Sequence, residues 1–92
     1  MNAALLSVVL IVVQPTHPSS ARANAAPFPN YDIAASCAEA PNRSACVQLE
    51  QSAKAHLRAA WRGLSAAEQA QCAARGTAAG GSYVAADSCA TQ

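Results

Sequence analysis

The sequence predicts an all-α fold: a small disulfide-stapled bundle of three to four short helices behind an N-terminal signal peptide. Three observations carry this. Apolar side chains recur at spacings of three and four over residues 45–62, a capping box stands at Ser65-Ala66-Ala67-Glu68, and four cysteines occupy a chain of 92 residues. Alanine accounts for 25 of the 92 residues, so large apolar side chains are few. Past residue 25 they are Phe28, Tyr31, Ile33, Val47, Leu49, Leu57, Trp61, Leu64, Tyr83 and Val84. So short a chain rarely buries enough apolar surface to stand alone; disulfides, metal or oligomerisation make up the difference.

Residues 3–13, AALLSVVLIVV, are uncharged and apolar, long enough for the core of a secretory signal and well short of the roughly 20 residues of a membrane span. Pro15 and Pro18 follow, and then Ala21-Arg22-Ala23 and Ala23-Asn24-Ala25 both fit an A-x-A cleavage site. Cleavage is expected after Ala25. Signal peptides usually begin with Lys or Arg, whereas here the Met1 amine is the positive group at the start. No cysteine lies near the cut, so no lipid anchor is expected, and no stable membrane span remains after cleavage. The chain divides into a signal peptide (1–25), an extended arm (26–32) and a helical disulfide domain (33–92).

In an oxidising compartment an even number of cysteines in a short chain implies a disulfide framework. Cys37, Cys46, Cys72 and Cys89 lack the close pairs of a structural zinc site and the C-x-x-C of a thioredoxin-like redox site. Pro27 and Pro29 keep the arm extended, with Phe28 and Tyr31 folding back onto the helices. Asp32 caps a short first helix over about 33–40, ended by Pro41. The second, about 45–62, has Ser44 as N-cap and Gly63 at C′, with Cys46, Leu49, Ala53, Leu57, Trp61 and Leu64 as its apolar stripe. Glu50, Lys54, Arg58 and Arg62 step by four on another face, pairing Glu50 with Lys54. The capping box starts a third helix that runs to about Arg75, stops at Gly76 and folds back on the second as an antiparallel hairpin. Thr77 to Gly81 is a joint, and Ser82 caps a last helix of roughly 83–90 with Tyr83, Ala86 and Cys89 on one face.

Bridged Cα atoms must come within about 7 Å, and a helix rises about 1.5 Å per residue. Cys46 and Cys72 lie at different distances from the hairpin turn, which disfavours pairing them. Two patterns remain: Cys37–Cys46 with Cys72–Cys89, or Cys37–Cys72 with Cys46–Cys89. The first is favoured because it joins neighbouring helices at similar heights.

Cys37, Cys46, Glu50, Ala53, Leu57, Trp61, Cys72, Ser82-Tyr83-Val84 and Cys89 form a pattern that resembles a group of uncharacterised small exported four-cysteine helical proteins of Gram-negative bacteria. The resemblance covers about residues 31–90. It implies the same fold and an exported location, and it brings no activity. The chain departs from the pattern in having Ala90, not Leu, after the final cysteine. A second similarity, to lysozyme-inhibitor-like periplasmic proteins, rests on Cys37, Cys46 and the polar helix that follows them.

Catalytic chemistry finds little support. His56 is the one histidine past the leader, there is no G-x-S-x-G elbow, and Glu39, Glu50, Glu68 and Asp87 form no paired-acid motif. Ala79-Gly80-Gly81 is too short for a phosphate loop and is a hinge. No catalytic, cofactor-binding or metal-binding residue is therefore assigned, and no cofactor is expected. After residue 25 five bases (Arg43, Lys54, Arg58, Arg62, Arg75) balance five acids (Asp32, Glu39, Glu50, Glu68, Asp87), which argues against nucleic acid as partner. Asn42-Arg43-Ser44 matches a glycosylation acceptor by chance, Ser44 being expected as a cap. The expectation is a non-catalytic protein-binding module, periplasmic or secreted, that meets an unknown protein partner through the basic stripe Lys54, Arg58 and Arg62 or through Trp61 with Tyr31 and Tyr83. A thiol-disulfide redox protein and a structural envelope component are the alternatives. The alanine-rich hairpin can also pair with its own copy as a homodimer, because small side chains let helices approach to about 8 Å.

Overall fold

The computed structural model describes residues 25–92; the leader expected over 1–25 lies outside the described residues apart from Ala25. Among the described residues there are four helices and no strand: α1 (Ile33–Ser36), α2 (Arg43–Trp61), α3 (Ala66–Ala78) and α4 (Tyr83–Ala90). None of these helices is long and apolar enough to cross a membrane.

Side-chain caps set where the helices begin. Asp32 accepts from the Ala35 amide at 3.1 Å and Ser82 from the Ala85 amide at 3.2 Å. At α3 both halves of the capping box form, Ser65 Oγ accepting from the Glu68 amide and Glu68 Oε1 accepting from the Ser65 amide. The α2 cap is Asn42, not Ser44. Asn42 follows Pro41, is already extended (φ −125°, ψ 96°) and accepts from the Ala45 amide at 3.0 Å. Asn and Ser cap about equally well, so the first one available starts the helix and Ser44 falls within the opening turn.

Helix α1 is also shorter than expected, giving way at Cys37 to a turn that ends before Pro41. Helix α3, by contrast, runs through Gly76 to Ala78. Left-handed backbone occurs at Gly80 (φ 85°) and Gly81 (φ 86°), and Gly63 does not adopt it. The chain reverses at the two later glycines, where the Gly81 and Ser82 amides both donate to the Gly76 carbonyl at 2.9 Å.

Both disulfides follow the favoured pattern. Cys37–Cys46 ties α1 to α2 with Cα atoms 5.7 Å apart, and Cys72–Cys89 ties α3 to α4 at 5.4 Å. The expected side-by-side hairpin of α2 and α3 is opened. Helix α4 packs against both, while α2 and α3 approach each other closely at few points. Tyr83 and the N-terminal arm fill the space between.

All four aromatic residues of the chain meet there. Phe28 lies edge-on to Trp61 (5.4 Å between centroids) and stacks on Tyr83 (6.0 Å), and Tyr31 packs on Tyr83 at 4.7 Å. Around them Leu57, Ala53 and Ala86 complete the core. The arm's backbone is held as well: the Tyr31 amide donates to the Tyr83 hydroxyl at 2.9 Å, and that hydroxyl donates to the Pro29 carbonyl at 3.0 Å. Tyr31 in turn donates its hydroxyl to the Ala73 carbonyl on α3.

Gly76 makes room for Tyr31. A Cβ built at Gly76 would sit 2.6 Å from Tyr31 Cζ and would also collide with the hydroxyl. Gly76→Ala is therefore expected to cost about 1–3 kcal/mol by overpacking. In a Tyr31→Ala background the same change should be neutral or stabilising, since Ala exceeds Gly in helix propensity by about 1 kcal/mol. A thermal-melting cycle over the four proteins checks this; an equal loss in both backgrounds would exclude the ring as the cause.

Burial raises the Tyr31 hydroxyl above its ordinary 10.0, with Tyr83 adding to the rise and a Thr77 hydrogen bond opposing it. Folded Tyr31 thus keeps its proton to higher pH than unfolded Tyr31. Its contribution to stability is complete below pH 10 and is lost as pH climbs through the folded value. Urea midpoints at about pH 8 and about pH 11 should fall less between the two pH values for Tyr31→Phe than for the parent.

Candidate functional site

One face of α2 carries Lys54 and Arg58, and Arg62 at its C-cap continues the row, the three spaced by four residues and so rising about 6 Å per step. The sequence pattern suggested that Glu50 begins this row and neutralises Lys54. Instead Glu50 is turned inward and is 6% exposed. Its Oε1 accepts from the Tyr83 amide at 2.6 Å and its Oε2 from the Ser82 hydroxyl at 2.7 Å. The carboxylate is a tertiary cap on α4, placed where the helix dipole favours a negative charge.

The buried line of α2 is Glu50, Ala53, Leu57 and Trp61, a slightly different stripe from the one expected. Leu49, one residue off that line, is 64% exposed. A stripe chosen by apolarity alone selects Leu49 and rejects Glu50; the unpaired first-turn amides of α4 select Glu50.

Without Glu50 the row is wholly basic. Lys54 Nζ lies 5.4 Å from the Tyr83 ring centroid, and the Arg58 guanidinium lies 4.2 Å over the Phe28 ring. Among the described residues the one contact within 4.0 Å between a basic side chain and a carboxylate is His56 Nδ1 with Asp87 Oδ1 at 2.7 Å, so Lys54, Arg58 and Arg62 have no carboxylate within that distance. Arg58 and Arg62 are exposed and Lys54 is half-buried.

Trp61 does not join the surface they form. It is 8% exposed, packs on Phe28, and donates its indole N–H to the Ala26 carbonyl at 3.2 Å. Tyr83 is fully buried and Tyr31 half-buried. Trp61 and Tyr83 thus lie in the core and Tyr31 packs against it, which leaves the three cations as the exposed part of the expected partner surface. The sequence signal for this lay in the arm: Phe28 between Pro27 and Pro29, and Tyr31 just after them, supply rings that need partners.

The four cysteines are all bridged. Among the described residues no three His, Cys, Asp or Glu side chains converge. A hollow of about 140 Å³ lies beside the Cys72–Cys89 bridge, bounded by Leu64, Glu68, Gln71 and Arg75. It is well below the roughly 300–1,000 Å³ of a drug-sized site. His56 and Asp87, 31 residues apart in the chain, pair across the seam between α2 and α4, an interaction with no local sequence signal. Comparison with known proteins gives no match: no family model fits the chain, and no curated protein or solved structure is similar to it.

Glu50→Ala removes the acceptor of a buried amide and should cost about 1–3 kcal/mol, whereas Glu50→Gln keeps an acceptor oxygen and should lose less. Urea denaturation of both variants, with hydrogen exchange at the Tyr83 amide, checks this. Equal losses, or an unchanged Tyr83 amide in Glu50→Ala, would refute the capping role.

Proposed function

We propose that this chain is an exported, disulfide-stapled protein-binding module without chemistry of its own, which presents Lys54, Arg58 and Arg62 to an acidic surface on a protein partner. One observation carries the reading: Glu50, the acid that would complete the row, is used inside the fold, leaving three cations unpaired on one helix face. Complementary charge at an interface steers encounter and fixes register. Two of the cations rest on aromatic rings, which limits the side-chain entropy lost on binding.

Export is supported by the apolar run at 3–13, the A-x-A sites that follow, and the bridging of all four cysteines. The periplasm or the cell exterior is the compartment this favours. The resemblance to exported four-cysteine helical proteins points the same way.

A photocrosslinking residue placed at Arg62, in the full chain expressed with its leader, is expected to capture an acidic protein; one at Ala74, exposed on α3, is not. Capture should be lost in high salt and in Arg58→Glu. Affinity for the captured protein should fall about tenfold or more in Arg58→Glu with Arg62→Glu. Arg62→Glu, having no intramolecular partner, should change stability by less than roughly 0.5 kcal/mol. Equal capture from both positions, or none from Arg62, would sink the proposal.

A further inference from the structure

We propose that the folded domain contains a built receptor for its own mature N-terminus, formed by Gln69 and Trp61, and that hydrolysis of the Ala25–Ala26 bond supplies the α-ammonium group it holds. This rests on the export reading above.

Ala25 is exposed, whereas Ala26 is half-buried and docked. Gln69, on α3, is 5% exposed. Its Oε1 accepts from the Ala26 nitrogen at 3.0 Å, and its Nε2 donates to the Trp61 carbonyl at 2.8 Å. Trp61 closes the ring by donating its indole N–H to the Ala26 carbonyl at 3.2 Å. The glutamine amide has one workable orientation, because Ala26 can only donate at its nitrogen and the Trp61 carbonyl can only accept. A buried side chain is thereby committed to one residue of the arm, at the position where the chain passes from exposed to docked. Without Ala26 the buried Oε1 would have no partner among the hydrogen bonds formed here.

The two A-x-A sites differ in what they leave at this receptor. Cleavage after Ala23 leaves Asn24 and Ala25 ahead of Ala26, whose nitrogen stays an ordinary amide. Cleavage after Ala25 adds one water across the bond, completing a carboxyl group on Ala25 of the departing leader and an amine on Ala26. The carboxyl proton passes to the amine at neutral pH, giving a carboxylate and an ammonium, with a signal peptidase as catalyst. The hydrogen bond to Gln69 Oε1 then becomes charge-assisted, which is shorter and about twice as strong as the neutral bond. Water can reach the remaining ammonium protons, because Ala26 is only half-buried. Processing at this bond therefore tightens the domain as it frees it.

The test uses the full chain, expressed with its leader in a Gram-negative host and recovered from the periplasm. Wild type is compared with Ala25→Leu, which spoils the second A-x-A site and leaves Ala21-Arg22-Ala23. Intact masses are expected to place the wild-type start at Ala26 and the variant start at Asn24. The wild-type product should melt about 4–8 °C higher. Its α-amine should react several-fold more slowly with an acylating reagent than that of the Asn24 product. Both differences should disappear in a Gln69→Met background. Should that background fail to fold, acetylating the two products at the α-amine alone serves instead: it should lower the melting temperature of the Ala26 product and leave that of the Asn24 product unchanged. A product that begins at Ala26 but melts and reacts like the Asn24 product overturns the receptor and leaves export standing. A wild-type start at Asn24 also overturns it. A chain recovered uncut overturns the export reading and this inference together.

Discussion

Tyr83 is the residue on which the other parts of this fold depend. Its ring is fully buried and packs against both Phe28 and Tyr31, and its hydroxyl takes the Tyr31 amide while giving its proton to Pro29. Its own amide is bound by Glu50. One side chain thus brings the first helix turn of α4, the middle of α2 and the N-terminal arm to the same place. An alanine-rich helix such as α4 has little else with which to hold its neighbours, so a single large amphipathic ring supplies both the apolar area and the polar directionality.

The arm follows from that arrangement. With α4 seated against both α2 and α3, the hairpin helices are held apart, and small alanine side chains cannot fill the gap. Phe28 and Tyr31 do, Phe28 set between Pro27 and Pro29, which keep the backbone extended, and Tyr31 held by its hydrogen bonds to Tyr83 and Ala73. Gly76 is the other half of this fit: inside α3 a glycine sacrifices some helix propensity, and the space it leaves accepts the Tyr31 ring. The two disulfides add constraint where the core is thinnest, tying the short α1 and the C-terminal α4 to longer helices.

Core and surface are linked through Glu50. A carboxylate buried to cap α4 cannot also neutralise Lys54, so the inward turn that stabilises the last helix makes the outer face of α2 basic. A similar dual use occurs at Trp61, whose ring packs with Phe28 while its indole N–H and main-chain carbonyl help to hold Ala26. In a domain this small, few polar groups serve only one purpose.

Helix type, helix order and three of the four N-caps were legible in the sequence, because capping and helical periodicity act within a few residues: Asp32, Ser65 and Ser82 cap where local chemistry says they should. The cysteine pairing was legible to the level of two alternatives, of which the structure has the one joining neighbouring helices. The site was legible as a row of charges but not as a basic surface. What the sequence by itself determined is therefore the all-helical, disulfide-stapled character of the domain, since those signals are local or compositional. Only the tertiary structure decided that Glu50 faces inward and Leu49 outward, that Trp61 and Tyr83 are core, and that Gly76 is a packing notch instead of a stop. Each of these depends on a partner more than twenty residues away in the chain or on the arm's docking. Nearest-neighbour chemistry contains no information about which amide, ring or carbonyl arrives from such a distance.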